Sequence, residues 1–166
     1  MIEFIKIRDV KDPERNVNEN AGIDFYIPEL TEDVAKKILE FNHYLSIKDN
    51  TIYISPHEDI LIPSGIKAKF DKNIAMVVSN KSGIATKKKL IHGAHIIDSS
   101  YEGEWMFHLI NWSNQTQTLD FGTRVVQVVP IVISNEQHIM KDCSEEEFFK
   151  IKSERGQGGF GSTGIN

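Results

Sequence analysis

Eight short runs rich in isoleucine, valine and aromatic residues dominate this chain, and turn-forming residues separate them. Runs of this length are typical of β-strands, because branched side chains suit a pleated surface. The runs are IEFIKIR, TIYIS, DILIP, GIKAKF, IAMVV, LIHGAHII, EWMFHLINW and RVVQVVPIVI. So many closely spaced strands in 166 residues predict one all-β domain, a jelly roll, sandwich or barrel. In the last run, VVQVVPIVI hardly alternates, which predicts a strand covered on both faces, inside the subunit or at a subunit interface.

Two stretches have helical character instead. In TEDVAKKILEFN, Thr31 is placed to cap the helix and two acidic residues follow it in the first turn. One apolar face is predicted from Val34, Ile38 and Phe41. In CSEEEFFKIK, Ser144 and Glu147 have the spacing of a capping box. The first helix lies in a long segment, residues 29–57, which we expect to be an elaboration on the outside of the domain. It would cover sheet or widen a subunit contact, and a docking surface for another protein is the less favoured alternative.

Charge and cysteine content narrow the class of protein. The net charge of -5 argues against a protein that binds nucleic acid by neutralising many phosphates. The single cysteine excludes an internal disulfide, and the charged N-terminus MIEFIKIRDV does not resemble a signal peptide. No apolar run approaches the ~20 residues needed to cross a bilayer. We therefore expect a cytoplasmic protein, or one in the host cytoplasm if a virus encodes it.

The C-terminal stretch RGQGGFGSTG is too rich in glycine to join a core. Its open backbone N–H groups can converge on an anion, and Arg155 adds a planar fork for phosphate oxygens. Ser162 and Thr163 add hydroxyl donors, and Phe160 is a candidate to stack on a ring. A flexible terminus is the simpler interpretation, but the interleaving of these residues favours an arm, residues 155–166, that orders over a nucleotide.

Two internal stretches also contain candidate functional residues. In NKSGIA, Lys81, Ser82 and Gly83 follow a predicted strand and combine a cation, a hydroxyl and an open N–H that could hold phosphate. In GAHIIDSSYEGEW, Asp98 could activate a water and Tyr101 could lie against a sugar. Hairpin turn bonds would explain the second stretch equally well. The three lysines at positions 87–89 are interpreted as a solvated loop.

Taken together, these stretches resemble the five motifs of the trimeric dUTPase family, in the family's order. They are AGIDFY, NKSGIA, GAHIIDSSYEGE, GTRVVQVV and RGQGGFGSTG, of which the third and fifth are the most specific. The resemblance implies a jelly-roll domain over residues 1–154, a homotrimer with shared active sites, and hydrolysis of dUTP to dUMP and pyrophosphate. It also implies Mg²⁺ held by the triphosphate and waters rather than by the protein directly. The chain would be a divergent member, of the kind that viruses and phages encode.

The resemblance also assigns roles to single residues. Asp98 takes the position of the carboxylate that activates water, and Tyr101 the aromatic position under the deoxyribose. Arg155 would bind the γ-phosphate, and Phe160 would stack on uracil. Asp24 and Arg124 would form a buried pair that supports the site. The other positions assigned to substrate are Lys81, Ser82, Gly83, His95, Ile96, Ile97, Met106, Gln127, Gly161, Ser162 and Thr163.

Two departures from the family pattern concern the substrate. Lys81 stands where arginine is usual and offers a point charge instead of a fork, and His95 stands where a small residue is common. The alternatives to a dUTPase are a dCTP deaminase-like or bifunctional enzyme of the same fold, and a trimer that senses nucleotide or binds a partner without turnover. His108 occupies the position of the deaminase glutamate, which disfavours deamination.

Overall fold

The computed structural model describes residues 1–16, 20–134, 136, 138–151 and 153. The chain divides into two compact units, Met1–Ser134 and Asn135–Asn166. The described part of the first unit contains one ten-residue α-helix, α1 (Glu32–Phe41), a π-helical turn (Ile84–Lys88) and twelve β-strands. The strands are β1 (Ile2–Lys6), β2 (Ile23–Tyr26), β3 (Ser46–Lys48), β4 (Thr51–Ile54), β5 (Asp59–Pro63), β6 (Ile66–Phe70), β7 (Ile74–Asn80), β8 (Leu90–His92), β9 (Ile96–Ile97), β10 (Met106–Asn111), β11 (Gln117–Asp120) and β12 (Arg124–Val132).

All strand pairs are antiparallel, and they form four sheets. The strand orders are β1–β6, β5–β10–β8, β11–β4–β3 and β2–β12–β7–β9. In the largest sheet, β12 lies between β2 and β7, so that Gln127 is opposite Asp24 on one side and Ser79 on the other. The all-β jelly-roll fold expected from the sequence is confirmed.

Aromatic rings form the centre of the core. The Phe25 ring lies 5.4 Å from that of Trp105 and 5.5 Å from that of Phe107, measured between centroids. The rings of Phe4 and Phe70 pack in T-shaped geometry against Trp105, which is fully buried. Because Trp105 directly follows the third motif, burial of its ring fixes the chain at that point.

The predicted helix is present, but its apolar face differs from the prediction. Thr31 caps it by accepting a hydrogen bond from the Val34 amide, and Val34 and Ile38 are buried. Phe41, expected on the same face, is 57% exposed. Its place is taken by buried Asn42, which ends the helix, donates from its side chain to the Ile38 carbonyl and accepts from the Leu61 amide.

The strand predictions hold for most of the runs, with two differences. LIHGAHII is divided into β8 and β9, and β12 is buried only in its first half: Val126 and Val128 have no exposed surface, whereas Val132 is 85% exposed. Three strands lie outside the predicted runs, namely β2, β3 and β11. The β3–β4 hairpin turns at Asp49 and Asn50, both with positive φ, as a two-residue hairpin requires.

In the second unit, the described residues include the short helix α2 (Glu145–Phe148). Ser144 caps it and accepts a hydrogen bond from the Glu147 amide, as the sequence predicts. None of the described helices has the length and apolar character that a bilayer crossing requires.

Candidate active site

A surface pocket of about 490 Å³ lies beside the end of β7. Its lining residues are Lys81, Ser82, Gly83, Ile84, Lys87, Lys88 and Arg124. Four of these seven residues are cationic and none is acidic. In a concave site of one charge sign the fields of the side chains add, so the pocket attracts polyanions.

The second motif forms the wall of this pocket because the chain turns into a helical segment directly after β7. The Ala85 amide donates to the Lys81 carbonyl, and the Thr86 hydroxyl donates to the Ser82 carbonyl at 2.7 Å. Ser82 and Gly83 are exposed at the start of this segment. A Cβ at Gly83 would meet no atom within 4 Å. Packing within the chain therefore does not require glycine there, and the position is open to a ligand.

Asp24 lies beneath the pocket and orders two of its cations. The Lys81 Nζ lies 2.6 and 2.7 Å from the two Asp24 carboxylate oxygens, and the Arg124 Nη1 lies 3.2 Å from Oδ2. The prediction of a buried Asp24–Arg124 pair needs correction. Asp24 is 5% exposed, but the Arg124 side chain is 46% exposed, and Lys81 is the third member. A single buried carboxylate thus holds both cations at the pocket wall.

Gln127 lies next to the pocket and does not line its wall. Its side-chain amide donates to the Asn80 carbonyl at 2.9 Å and so fixes the residue that precedes Lys81. Gly22, directly before β2, is needed for this, because a Cβ there would lie 2.5 Å from the Gln127 Oε1.

The third motif lies at the edge of the largest sheet. Ile96 and Ile97 pair with β7, and the Val78 amide donates to the His95 carbonyl at 2.7 Å. Asp98 follows with an exposed side chain, and its carbonyl accepts from the Tyr101 amide in a turn. The short strand thus holds the backbone before Asp98 while leaving the carboxylate accessible.

Tyr101 is held at the phenol end of its side chain by two contacts. Its hydroxyl donates to the Glu104 carbonyl at 3.0 Å, and its ring packs on Gly103, where a Cβ would lie 2.3 Å from the hydroxyl oxygen. The residue is 46% exposed. Tyr101 therefore presents a fixed, accessible aromatic surface next to Asp98 in the chain, and glycine at position 103 is required for it.

Glu104, which sequence reasoning did not single out, anchors this motif. Its carboxylate accepts from the Arg8 Nε at 2.9 Å, the Gly65 amide at 2.8 Å and the Lys37 Nζ at 2.5 Å. Arg8 also pairs with Asp33 of α1. Burial acts to raise the pKa of Glu104, but the bonds from Arg8, Lys37 and Gly65 outweigh it and the pKa is lowered. The helix of the 29–57 segment is therefore tied to the third motif by buried charge.

The structure brings some of the predicted residues together and separates others. Lys81, Ser82, Gly83 and Arg124 share one pocket with Lys87 and Lys88, for which the sequence predicts only a solvated loop. Of the described residues that line this pocket, none belongs to the third motif. The residues Arg155, Phe160, Gly161, Ser162 and Thr163 lie outside the described residues.

The fold and these motifs agree with the similarity of this chain to known proteins. The dUTPase family model matches residues 44–164. The deoxyuridine 5'-triphosphate nucleotidohydrolase of Shewanella sp. strain W3-18-1 is 38% identical over 119 residues, which cover 70% of this chain and 74% of that protein. The chain belongs to the dUTPase family. The resemblance read from the five motifs is confirmed.

Two solved dUTPases are similar in structure. The dUTPase of Staphylococcus bacteriophage 80alpha, solved with dUPNHPP, has a TM-score of 0.77 at 19% identity over 99% of both chains. A variant of the dUTPase from phage phi11 of S. aureus, solved with a structural Mg(II) ion, has a TM-score of 0.69 at 16% identity. That match covers 87% of this chain and 99% of the phi11 protein. At these identities the similarity establishes the fold.

Proposed function

We propose that this chain hydrolyses dUTP to dUMP and pyrophosphate. The observation that carries the proposal is the pocket lined by Lys81, Ser82, Gly83 and Arg124, which places the second and fourth motifs of a dUTPase family member around one polyanion site. A triphosphate is the most highly charged part of dUTP, and a pocket with four cations suits it.

In the proposed reaction, Asp98 is the general base. Its exposed carboxylate takes a proton from a water whose oxygen forms a bond to phosphorus, while the bond between the α- and β-phosphates breaks. The charge that develops on the phosphate oxygens is stabilised by the pocket cations. Lys81 and Arg124 enter this step already ordered by Asp24, so little reorganisation is needed.

Tyr101 determines the sugar. Its ring is fixed by the hydroxyl bond to Glu104 and by contact with Gly103, so it cannot easily move aside for an added 2′-hydroxyl. The backbone between His95 and Met106, including Ile96 and Ile97, reads the uracil. The side chain of His95 is exposed there and can contribute to the choice of base.

The remaining substrate contacts come from the tail and from a trimer. Arg155 grips the γ-phosphate, Phe160 stacks on the base, and Gly161, Ser162 and Thr163 close over the triphosphate. We infer that three copies share their sites. Two observations support this: the third motif does not line the cationic pocket of its own chain, and the exposed apolar end of β12 offers a surface to cover.

Mg²⁺ would arrive with the substrate. The described residues contain no cluster of three or more histidine, cysteine or acidic side chains that could hold a metal, and the pocket itself is lined by cations. Phosphate oxygens and waters would therefore bind the ion. When bound, Mg²⁺ neutralises part of the phosphate charge.

The test is a substrate panel with identification of the products. Purified protein is given dUTP, dCTP or UTP with Mg²⁺, and the nucleotide products and pyrophosphate are separated and quantified. We expect dUMP and pyrophosphate from dUTP and very little turnover of the other two. Equal turnover of dCTP would contradict the base assignment, and binding of dUTP without turnover would indicate a nucleotide sensor instead.

A further inference from the structure

The ring of His108 contacts the loop at the start of the third motif. This residue lies on β10, between β5 and β8. Its carbonyl accepts from the Gly93 amide at 2.9 Å, and its Nδ1 accepts from the Ala94 amide at 3.2 Å. The Gly93 backbone lies directly against the imidazole, because a Cβ there would be 2.1 Å from Nδ1.

The other side of the ring is bound as well. The Nε2 lies 2.8 Å from the Asp59 Oδ2, and the other oxygen of Asp59 accepts from the Tyr44 hydroxyl at 2.9 Å. The bond from His108 is the main cause of a lowered pKa at Asp59, with the Tyr44 bond adding to it against the effect of burial. Tyr44 belongs to the 29–57 elaboration, so this chain of bonds runs from that segment to the loop.

The directions of these bonds define the form of the ring. An amide N–H can only donate, so Nδ1 must be unprotonated and the proton lies on Nε2, which donates to Asp59. Both ring nitrogens are then satisfied. A ring protonated at Nδ1 would present a second donor to the Ala94 amide and would lose that bond.

We propose that His108 is a positioning residue that holds the backbone at Ala94, and with it the segment leading to Asp98, in the conformation that reads the base. The segment from Ala94 to Ile97 is held at its far end by pairing with β7, and His108 supplies the constraint at its near end. This inference rests on the proposed function, since the base is taken to contact this backbone.

Two substitutions of His108 separate its two bonds. His108→Asn places an amide oxygen close to the position of Nδ1 and can still accept from Ala94, but it does not reach Asp59. His108→Gln reaches toward Asp59 and lacks the acceptor near Ala94. The positioning role predicts that the asparagine variant stays near wild type and that the glutamine variant does not.

Steady-state kinetics with dUTP and hydrogen exchange are measured on both variants. Losing one hydrogen bond in the ground state should raise KM about three- to tenfold in His108→Gln and leave kcat within about twofold. Exchange in a peptide that covers residues 93–97 should be faster in that variant, and His108→Asn should match wild type in both measurements. Gly93→Ala, which pushes the loop off the ring, should raise KM in the same way.

The possible outcomes discriminate between the claims. If KM and hydrogen exchange change as much in His108→Asn as in His108→Gln, His108 does not position this loop. The same conclusion follows if neither variant changes KM or exchange. If the wild type does not hydrolyse dUTP, the proposed function fails. The exchange measurement would still show whether His108 holds the Ala94 amide.

Discussion

Removing the charge of Glu104 should destabilise the fold by an amount that depends on pH. Glu104→Gln keeps the shape of the side chain and can still accept from Gly65, but it loses the charge that Arg8 and Lys37 face. The Glu104 side chain is 4% exposed, against 17% for Arg8 and 31% for Lys37. Breaking a buried ion pair costs about 3–5 kcal/mol when the remaining charge has no other partner. Here Arg8 keeps Asp33 and Lys37 reaches solvent, so we expect about 2–4 kcal/mol at pH 7.

This loss should lower Tm by about 4–16 °C, given about 2–4 °C per kcal/mol for a protein of this size. Glu102→Gln is the matched control, because it makes the same change at an exposed carboxylate two residues away. It should change the free energy of unfolding by less than about 0.5 kcal/mol. Both variants are compared with wild type by urea unfolding and by thermal scans.

The pH dependence follows from the lowered pKa of Glu104. A carboxyl with a lowered folded-state pKa contributes stability that is fully present above its unfolded value, about 4.3, and is lost as pH falls through the folded value. The difference in the free energy of unfolding between wild type and Glu104→Gln should therefore be constant from pH 7 to about pH 5 and shrink below about pH 4. If this difference is no larger than that of the Glu102→Gln control, or if it does not shrink in acid, the argument that buried charge ties α1 to the third motif is refuted.

Three further predictions concern the sugar, the tail and α1. Tyr101→Ala should lower kcat/KM for dUTP and raise the ratio of UTP to dUTP turnover, and an unchanged ratio in a kinetic comparison would show that the ring does not exclude ribose. Ending the chain before Arg155 should leave the melting transition intact while sharply reducing turnover. Phe160→Ala should be a milder case, worth roughly 1–3 kcal/mol of stacking; loss of the transition would mean that the tail belongs to the fold. Thr31→Ala should cost about 1 kcal/mol of stability by removing the cap on α1, with kcat unchanged.

The sequence was sufficient for the family, for most of the strands and for the capped ends of both helices. The strands and caps depend mainly on neighbours in the chain. Runs rich in branched and aromatic residues mark β5 and β10, and Thr31 and Ser144 cap residues only three positions away. Prediction from the sequence was less successful at the end of a helix, where the chain changes direction. Phe41 fits the apolar face by periodicity, but the chain turns there and buries Asn42 instead.

The candidate site was only partly predictable for a related reason. The motifs identify Lys81 and Arg124, but Lys87 and Lys88 join them only because a helical turn follows β7. The partners of Glu104 lie 96 positions away at Arg8 and 67 away at Lys37, and no local pattern indicates such contacts.

The most direct test of the central claim is the rate of pyrophosphate release from dUTP by Asp98→Asn. Asp49→Asn is the control, because it makes the same change at an exposed turn whose positive φ asparagine tolerates. We predict that Asp98→Asn slows turnover by about 10²–10⁴-fold while dUTP still binds in calorimetry, and that Asp49→Asn matches wild type. Turnover by Asp98→Asn at the wild-type rate would contradict the account, because the base would then lie elsewhere.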